Sequence, residues 1–192
     1  MEIVFATGNP HKLDELKKIT RDNSIEFILP SSDFNPVENG STFEENSYIK
    51  AKEANRTTGK ISLADDSGLC VEALNGAPGL YSARYAGTQK EKIDKILNEL
   101  KPHTNRKAKF ICVMTLLDSE GNVLHVSKGE CHGEIAKEQS GTNGFGFDPV
   151  FIVDGYNKTM ADLPEEIKNS ISHRANAMND MLDYINKSNI LI

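Results

Sequence analysis

The chain opens on a short uninterrupted apolar run, Ile3 to Ala6. A run of that length predicts a buried strand. It breaks at Thr7-Gly8-Asn9, after which Leu13, Leu16 and Ile19 recur at helical spacing. Asn9 is a natural N-cap for that helix, and Pro10 suits its first position. Ile25 to Leu29 predicts a second strand, and the polar stretch Pro30 to Ser41 a loop. Thr42 and Glu45 make the T-x-x-E pattern of a capping box, so a second helix is expected from there to about Thr57. Ile61 to Ala64 predicts a third strand that ends before Asp65 and Asp66. Lys90 to Leu100 reads as a helix. Phe110 to Leu117 and Asn122 to Lys128 read as strands paired around the turn DSEGN. Val150 to Val153 is a further strand, and Pro164 to about Asn186 one long helix or two. Strands alternate with helices first and a β-rich middle follows. That order predicts an α/β fold, a mixed twisted sheet with flanking helices, in one domain over residues 1–192. No internal repeat interrupts it.

Charge and composition narrow the classes. A net charge of −6 disfavours a broad nucleic-acid surface, but a small anion needs only a local group of cations. Cys70, Cys112 and Cys131 make an odd count without a C-x-x-C pair, which suits a reducing compartment. The N-terminus lacks the basic stretch and apolar run of a signal peptide. No run approaches the roughly 20 apolar residues of a spanning helix. The expectation is a cytoplasmic protein that binds neither membrane nor nucleic acid.

Four segments carry candidate chemistry. Thr7, Gly8, Asn9, Pro10, His11 and Lys12 form a strand–turn–helix junction, where N–H groups and the helix dipole favour an anion and Lys12 adds a full charge. By itself the segment reads rather as a capped helix with a surface lysine. Asp65 and Asp66 lead into Ser67-Gly68, which reads either as turn chemistry or as a magnesium site. If extended geometry persists, only one of the two carboxylates can face a given side. Glu38, Glu44 and Glu45 are further acids for a metal. In GTNGFGFDPVF, glycines at 141, 144 and 146 surround Phe145 and Phe147. Phe145 is the candidate to stack on a planar ligand, while Phe147 and Phe151 suit a core. Lys168, His173 and Arg174 lie in EEIKNSISHRANAM. A break before Ser172 would let His173 and Arg174 project from a new helix start.

Together FATGNPHK, TFEENSYIKAKEA, LADDSGLCVEALNGAPGLYSARYAG, GFGFDPVF and EEIKNSISHRANAM span most of the chain. In their order and combination the sequence resembles the Ham1/inosine triphosphate pyrophosphatase family. The resemblance implies two lobes around a central substrate cleft, a homodimer, Mg²⁺ as cofactor and a nucleotide as substrate. It implies conversion of ITP, dITP, XTP or dXTP to the monophosphate and pyrophosphate by water attack at the α-phosphorus. Thr7 to Lys12 would hold the triphosphate and Lys50 a phosphate or the sugar. Asp66 would be the proton acceptor and a metal ligand, with Glu38 the other metal-linked acid. Ser67 would bind substrate. Phe145, Gly146, Phe147, Asp148, Lys168, His173 and Arg174 would frame the base. Asp65 would either join the metal shell or support Asp66. Phe147 stands where relatives often carry another aromatic, and KTMADLPEEIKN is slightly variant around Met160.

The base edge suggests a basis for selection. Hypoxanthine and xanthine carry an acceptor oxygen at position 6, where adenine carries a donor amine. Donors from Arg174 or His173 would favour the first, and a buried mismatch of this kind can reject an analogue by roughly 10⁴-fold. Two other readings fit the same motifs: a pyrophosphatase for pyrimidine or modified nucleotides, and a non-catalytic nucleotide sensor.

Overall fold

The computed structural model describes residues 1–21 and 23–188. Among the described residues six strands and five α-helices follow one another as β1 (Glu2–Phe5), α1 (Pro10–Ile19), β2 (Glu26–Ile28), α2 (Phe43–Thr58), β3 (Ser62–Val71), α3 (Gln89–Glu99), β4 (Lys107–Leu117), β5 (Val123–Ile135), β6 (Phe151–Val153), α4 (Glu165–Ile171) and α5 (His173–Lys187). The strands form one sheet in the order β2-β1-β3-β4-β5-β6. The β1–β2 and β1–β3 pairs are parallel and the β5–β6 pair is antiparallel. This is the mixed sheet with flanking helices that the alternation predicts.

The caps expected from sequence are in place. The Asn9 side chain accepts from the His11 N–H, and Pro10 opens α1. Thr42 accepts from the Glu45 N–H, whereas the Glu45 carboxylate reaches back to Ser41, taking its N–H and hydroxyl. Gly59 ends α2 at φ 65°, a conformation in which a Cβ would be strained. The final helical stretch is two helices. Ser172 is extended between them (φ −64°, ψ 156°), so α5 starts at His173.

One boundary needs correction. The third strand does not stop at Ala64; it runs ten residues, to Val71, and carries Asp65, Asp66 and Ser67 in its middle. Asp-Ser-Gly is turn-forming in isolation, but β3 sits inside the sheet between β1 and β4, where ladder bonding outweighs local preference. β5 likewise continues past Lys128 to Ile135.

The chain divides into two compact units: residues 1–66, 112–129 and 174–192, and residues 67–111 and 130–173. In the first unit the two sheet faces have different cores. Ile3, Phe5, Leu63, Cys112 and Met114 pack with Leu16 of α1 and Met178, Met181 and Ile185 of α5. Val4, Ala6, Ala64 and Leu117 pack with Ala51 and Ala54 of α2. In the second unit Leu69, Val71, Phe110 and Phe151 pack with Ile93 and Ile96 of α3 and with Phe147, Val150 and Leu163.

Candidate functional site

Strand alternation decides what the two aspartates meet. Leu63 faces the core against α1 and α5, and Asp65, two residues on, shares that side. Ala64 faces α2, and Asp66 shares that side. Asp65 is 1% exposed. The Lys12 ammonium of α1 lies 3.0 Å from its carboxylate oxygens. Arg174 of α5 donates to Asp65 Oδ2 through Nη2 at 3.0 Å and Nε at 3.3 Å. The other arm of Arg174 meets Glu15, again on α1. Burial alone would push the Asp65 carboxyl upward. Lys12, Arg174 and Lys50 outweigh that and hold it well below the usual carboxylate range.

Asp66 has different company. Lys50 Nζ donates to its Oδ1 at 3.2 Å and also meets Glu38 at 3.0 Å. Its Oδ2 is buried without a hydrogen-bond partner. Here burial wins: despite the attraction of Lys50 and Lys12, the Asp66 carboxyl is raised, and Asp65 adds repulsion. Lys50 projects from the buried stripe of α2 that also carries Ser47, Ala51 and Ala54. Burial disfavours its charge, but Asp65, Asp66 and Glu38 together raise its pKa. Glu38 reaches this group from the loop before α2. That loop is anchored two residues later, where the Gly40 N–H donates to Asn46 Oδ1 at 2.9 Å.

The junction from Thr7 to Lys12 belongs to the same unit. The Asn9 N–H donates to Thr7 Oγ1 at 3.1 Å, which folds the turn ahead of α1. Thr7 is buried, Asn9 and Lys12 are half-buried, and Gly8, Pro10 and His11 are exposed. The first unit thus gathers Thr7 to Lys12, Glu38, Lys50, Asp66 and Arg174. Arg174 was expected as a donor to a base edge. It is 1% exposed, with its guanidinium directed at Asp65 and Glu15.

Most of the residues expected around a base lie in the second unit. Lys168 Nζ donates to Asp148 Oδ2 at 2.7 Å, and the same oxygen accepts from the Phe145 N–H at 2.9 Å. The Lys168 ammonium stands over the Phe145 ring, 4.8 Å from its centre. The Gly146 N–H donates to Gln89 Oε1. Phe145 is half-buried, whereas Phe147 is 4% exposed and belongs to the core. His173 stacks on Phe110, ring centres 4.8 Å apart and 14° from parallel. Ser67 is half-buried on β3.

Sequence reasoning missed Glu15 and Cys112. Glu15 is a buried acid beside Leu16, one turn after Lys12 on α1. Cys112 places its sulfur 3.9 Å from Asp65 Oδ2, and burial pushes its thiol far up. The α1 spacing between Lys12 and Glu15 was readable, but a pairing with Arg174, 159 residues further along, was not.

Among the described residues, no group of three or more His, Cys, Asp or Glu side chains is set for a metal. The two acids paired with Lys50 are Glu38 and Asp66. A hard divalent cation that keeps waters and takes phosphate oxygens needs no more than one or two carboxylates. The unpartnered buried oxygen of Asp66 is of the right chemistry for it.

A strand–turn–helix junction with a lysine, beside acids on the neighbouring strand β3, marks an α/β protein with an anion site as a class. Comparison with known proteins gives the family. The sequence model of the Ham1 family matches residues 3–184, and the chain belongs to that family. A dITP/XTP pyrophosphatase of Prochlorococcus marinus (strain NATL1A) is 49% identical over 175 residues, covering 91% of this chain and 89% of the relative. The structure of a HAM1 protein from Coxiella burnetii superposes with a TM-score of 0.88 at 42% identity, covering 97% of this chain and 99% of that one. The Staphylococcus aureus Ham1 protein gives 0.87 at 44% identity, covering 98% and 100%. Among the described residues Cys70, Cys112 and Cys131 form no disulfide. Among the described residues no helix is long and apolar enough to cross a membrane.

Proposed function

We propose that this chain hydrolyses non-canonical purine nucleoside triphosphates, dITP and XTP among them, to the monophosphate and pyrophosphate. The observation that carries the reading is the unpartnered, buried Asp66 oxygen beside Lys50 and Glu38. It joins the naming of the Prochlorococcus relative as a dITP/XTP pyrophosphatase. Asp66 accepts the proton of the attacking water. Its raised pKa suits that task, because a base poised nearer the working pH is the stronger proton acceptor. Lys12 and the Thr7–Lys12 turn bind the triphosphate, and Lys50 a phosphate or the sugar. These cations supply what a phosphoryl transition state needs most, positioned positive charge. Ser67 contacts substrate. Phe145 to Asp148, Lys168 and His173 take the base.

Glu38 and Asp66 would hold Mg²⁺, which when bound neutralises charge on the phosphates and the leaving pyrophosphate. Chelation should abolish turnover and magnesium restore it; full activity in excess chelator would end this part of the reading. A cytoplasmic homodimer belongs to the same reading, and light scattering of the purified protein checks the dimer.

The decisive experiment places the attack. Hydrolysis of ITP in ¹⁸O-water should put the label in the monophosphate and leave the released pyrophosphate unlabelled. Label in pyrophosphate would move the attack to the β-phosphorus, and orthophosphate as first product would move it to γ. A panel of purine and pyrimidine triphosphates in the same assay separates this reading from the two rivals.

A further inference from the structure

We infer that Asp65 is a positioning residue that aims the Lys12 ammonium at substrate phosphate, backed by Arg174 and Glu15. The inference rests on the phosphate-site reading above. Four charged groups form a circuit that begins and ends on α1. Glu15 meets Arg174, Arg174 meets Asp65 at 3.0 Å, and Asp65 meets Lys12 at 3.0 Å. Lys12 and Glu15 stand one helical turn apart, so the circuit closes through the helix itself. The Asp65 and Arg174 side chains are each 1% exposed and that of Glu15 8%, against 16% for Lys12. Lys12 is the member best placed to meet a ligand.

The arrangement solves a problem of the lysine side chain, a compact charge on a flexible four-carbon stem. Tied to a carboxylate that cannot itself move, the ammonium is ordered before substrate arrives. That removes an ordering cost from the binding step. A lone aspartate would also cancel the charge it positions. Here Arg174 draws on the same Asp65 oxygen, and Glu15 balances Arg174 on its other arm. Asp65 is thereby shared between two cations, and Lys12 keeps donor capacity toward solvent. Both Asp65 oxygens already face cations, Oδ1 the Lys12 ammonium and Oδ2 Arg174 as well, a setting that favours a positioning role over a metal ligand. Of the two roles open to it in the sequence, this pairing argues against the metal shell.

The test uses the full chain and inorganic tripolyphosphate, which has neither base nor sugar. Its affinity is measured by calorimetry in saturating magnesium for the unaltered protein, Asp65→Asn, Lys12→Met and the double variant. Each single variant should lose about tenfold, the worth of one charge-assisted hydrogen bond, and the double variant no more than the worse single. Manganese affinity without any phosphate ligand should stay within about twofold for Asp65→Asn, since that control reads a metal ligand only. Additive losses, unchanged tripolyphosphate binding in Asp65→Asn, or a loss confined to manganese would overturn the inference. Glu15→Gln guards against misfolding of Asp65→Asn: it should weaken tripolyphosphate in the same direction, and no change would count equally against the proposal. Failure of the unaltered protein to bind tripolyphosphate would instead bring down the phosphate-site reading itself.

Discussion

The two sides of β3 offer a comparison between neighbouring aspartates in one buried strand. On the side of α1 and α5, Asp65 is enclosed by Lys12 and Arg174 and held ionised. On the side of α2, Asp66 shares Lys50 with Glu38, keeps one oxygen unpartnered, and resists ionisation. The difference shows how one strand can separate support from chemistry. A carboxylate saturated with cations is a poor base, because its charge is already stabilised. A carboxylate left short of partners is a better one, and the fold carries the cost.

Removing Asp66 should break the comparison most severely. Asp66→Asn keeps the shape and should lower kcat by roughly 10²–10⁴-fold, as loss of a general base does. Its melting temperature in chelator at neutral pH should be equal to or above that of the parent. The sign follows from the raised pKa. The fold penalises the ionised Asp66, an effect absent below the ordinary aspartate value of 3.8 and complete above the folded pKa. A clear loss of stability at neutral pH would show that Asp66 is structural.

Asp65→Asn should do the reverse, with a modest kinetic loss and a large loss of stability. It leaves Arg174 and Lys12 partly uncompensated, and breaking a buried pair costs about 3–5 kcal/mol. The depressed Asp65 pKa sets the pH dependence. Its contribution is fully present above 3.8 and fades only as pH falls through the folded value, further down. The gap between parent and variant in urea titrations should therefore be constant from neutral pH to about 4 and narrow below that. A gap that closes between pH 7 and 5 would mean another group is responsible.

Lys168→Met sharpens the comparison from the second unit. It leaves the Asp148 carboxylate without its ammonium and bares the face of Phe145. KM for ITP should rise about tenfold, the size of one lost charge-assisted contact, with tripolyphosphate affinity unchanged. An equal loss for both ligands would place Lys168 at the phosphates. The smallest effect belongs to Cys112→Ala. It removes a weak thiol contact to Asp65 and a little core volume, so melting should drop by a few degrees at most while KM stays put. A changed KM would make the thiol part of the Lys12 support.

Much of this arrangement was readable because local chemistry and global fold agree at those points. Asn9-Pro10, Thr42 and the spacing of Leu13, Leu16 and Ile19 say helix by capping and period, and the structure follows them. Asp65-Asp66-Ser67-Gly68 misled because its local preference is a turn, while it continues β3 within the sheet as strand. The rule that strand neighbours face opposite ways was nevertheless the right clue to the two aspartates. The partners of Asp65 were hidden for another reason. Glu15, Cys112 and Arg174 come from α1, β4 and α5, and nothing local in any of the three announces the others. Arg174 read as a helix-start donor to a ligand because a charged residue is rarely buried without a partner, and the partners are far away in sequence.

Gly144 carries a consequence for how this sequence can drift. Its φ of +76° already disfavours any side chain. A Cβ there would also stand 2.0 Å from Asp148 Oδ2 and 3.1 Å from Lys168 Nζ. An alanine would have to shift the Asp148 carboxylate against its ammonium, so a change at residue 144 disturbs that pair as well as the backbone. Replacement of this glycine is thereby coupled to positions 148 and 168, and a library randomised at 144 by itself should be enriched in glycine.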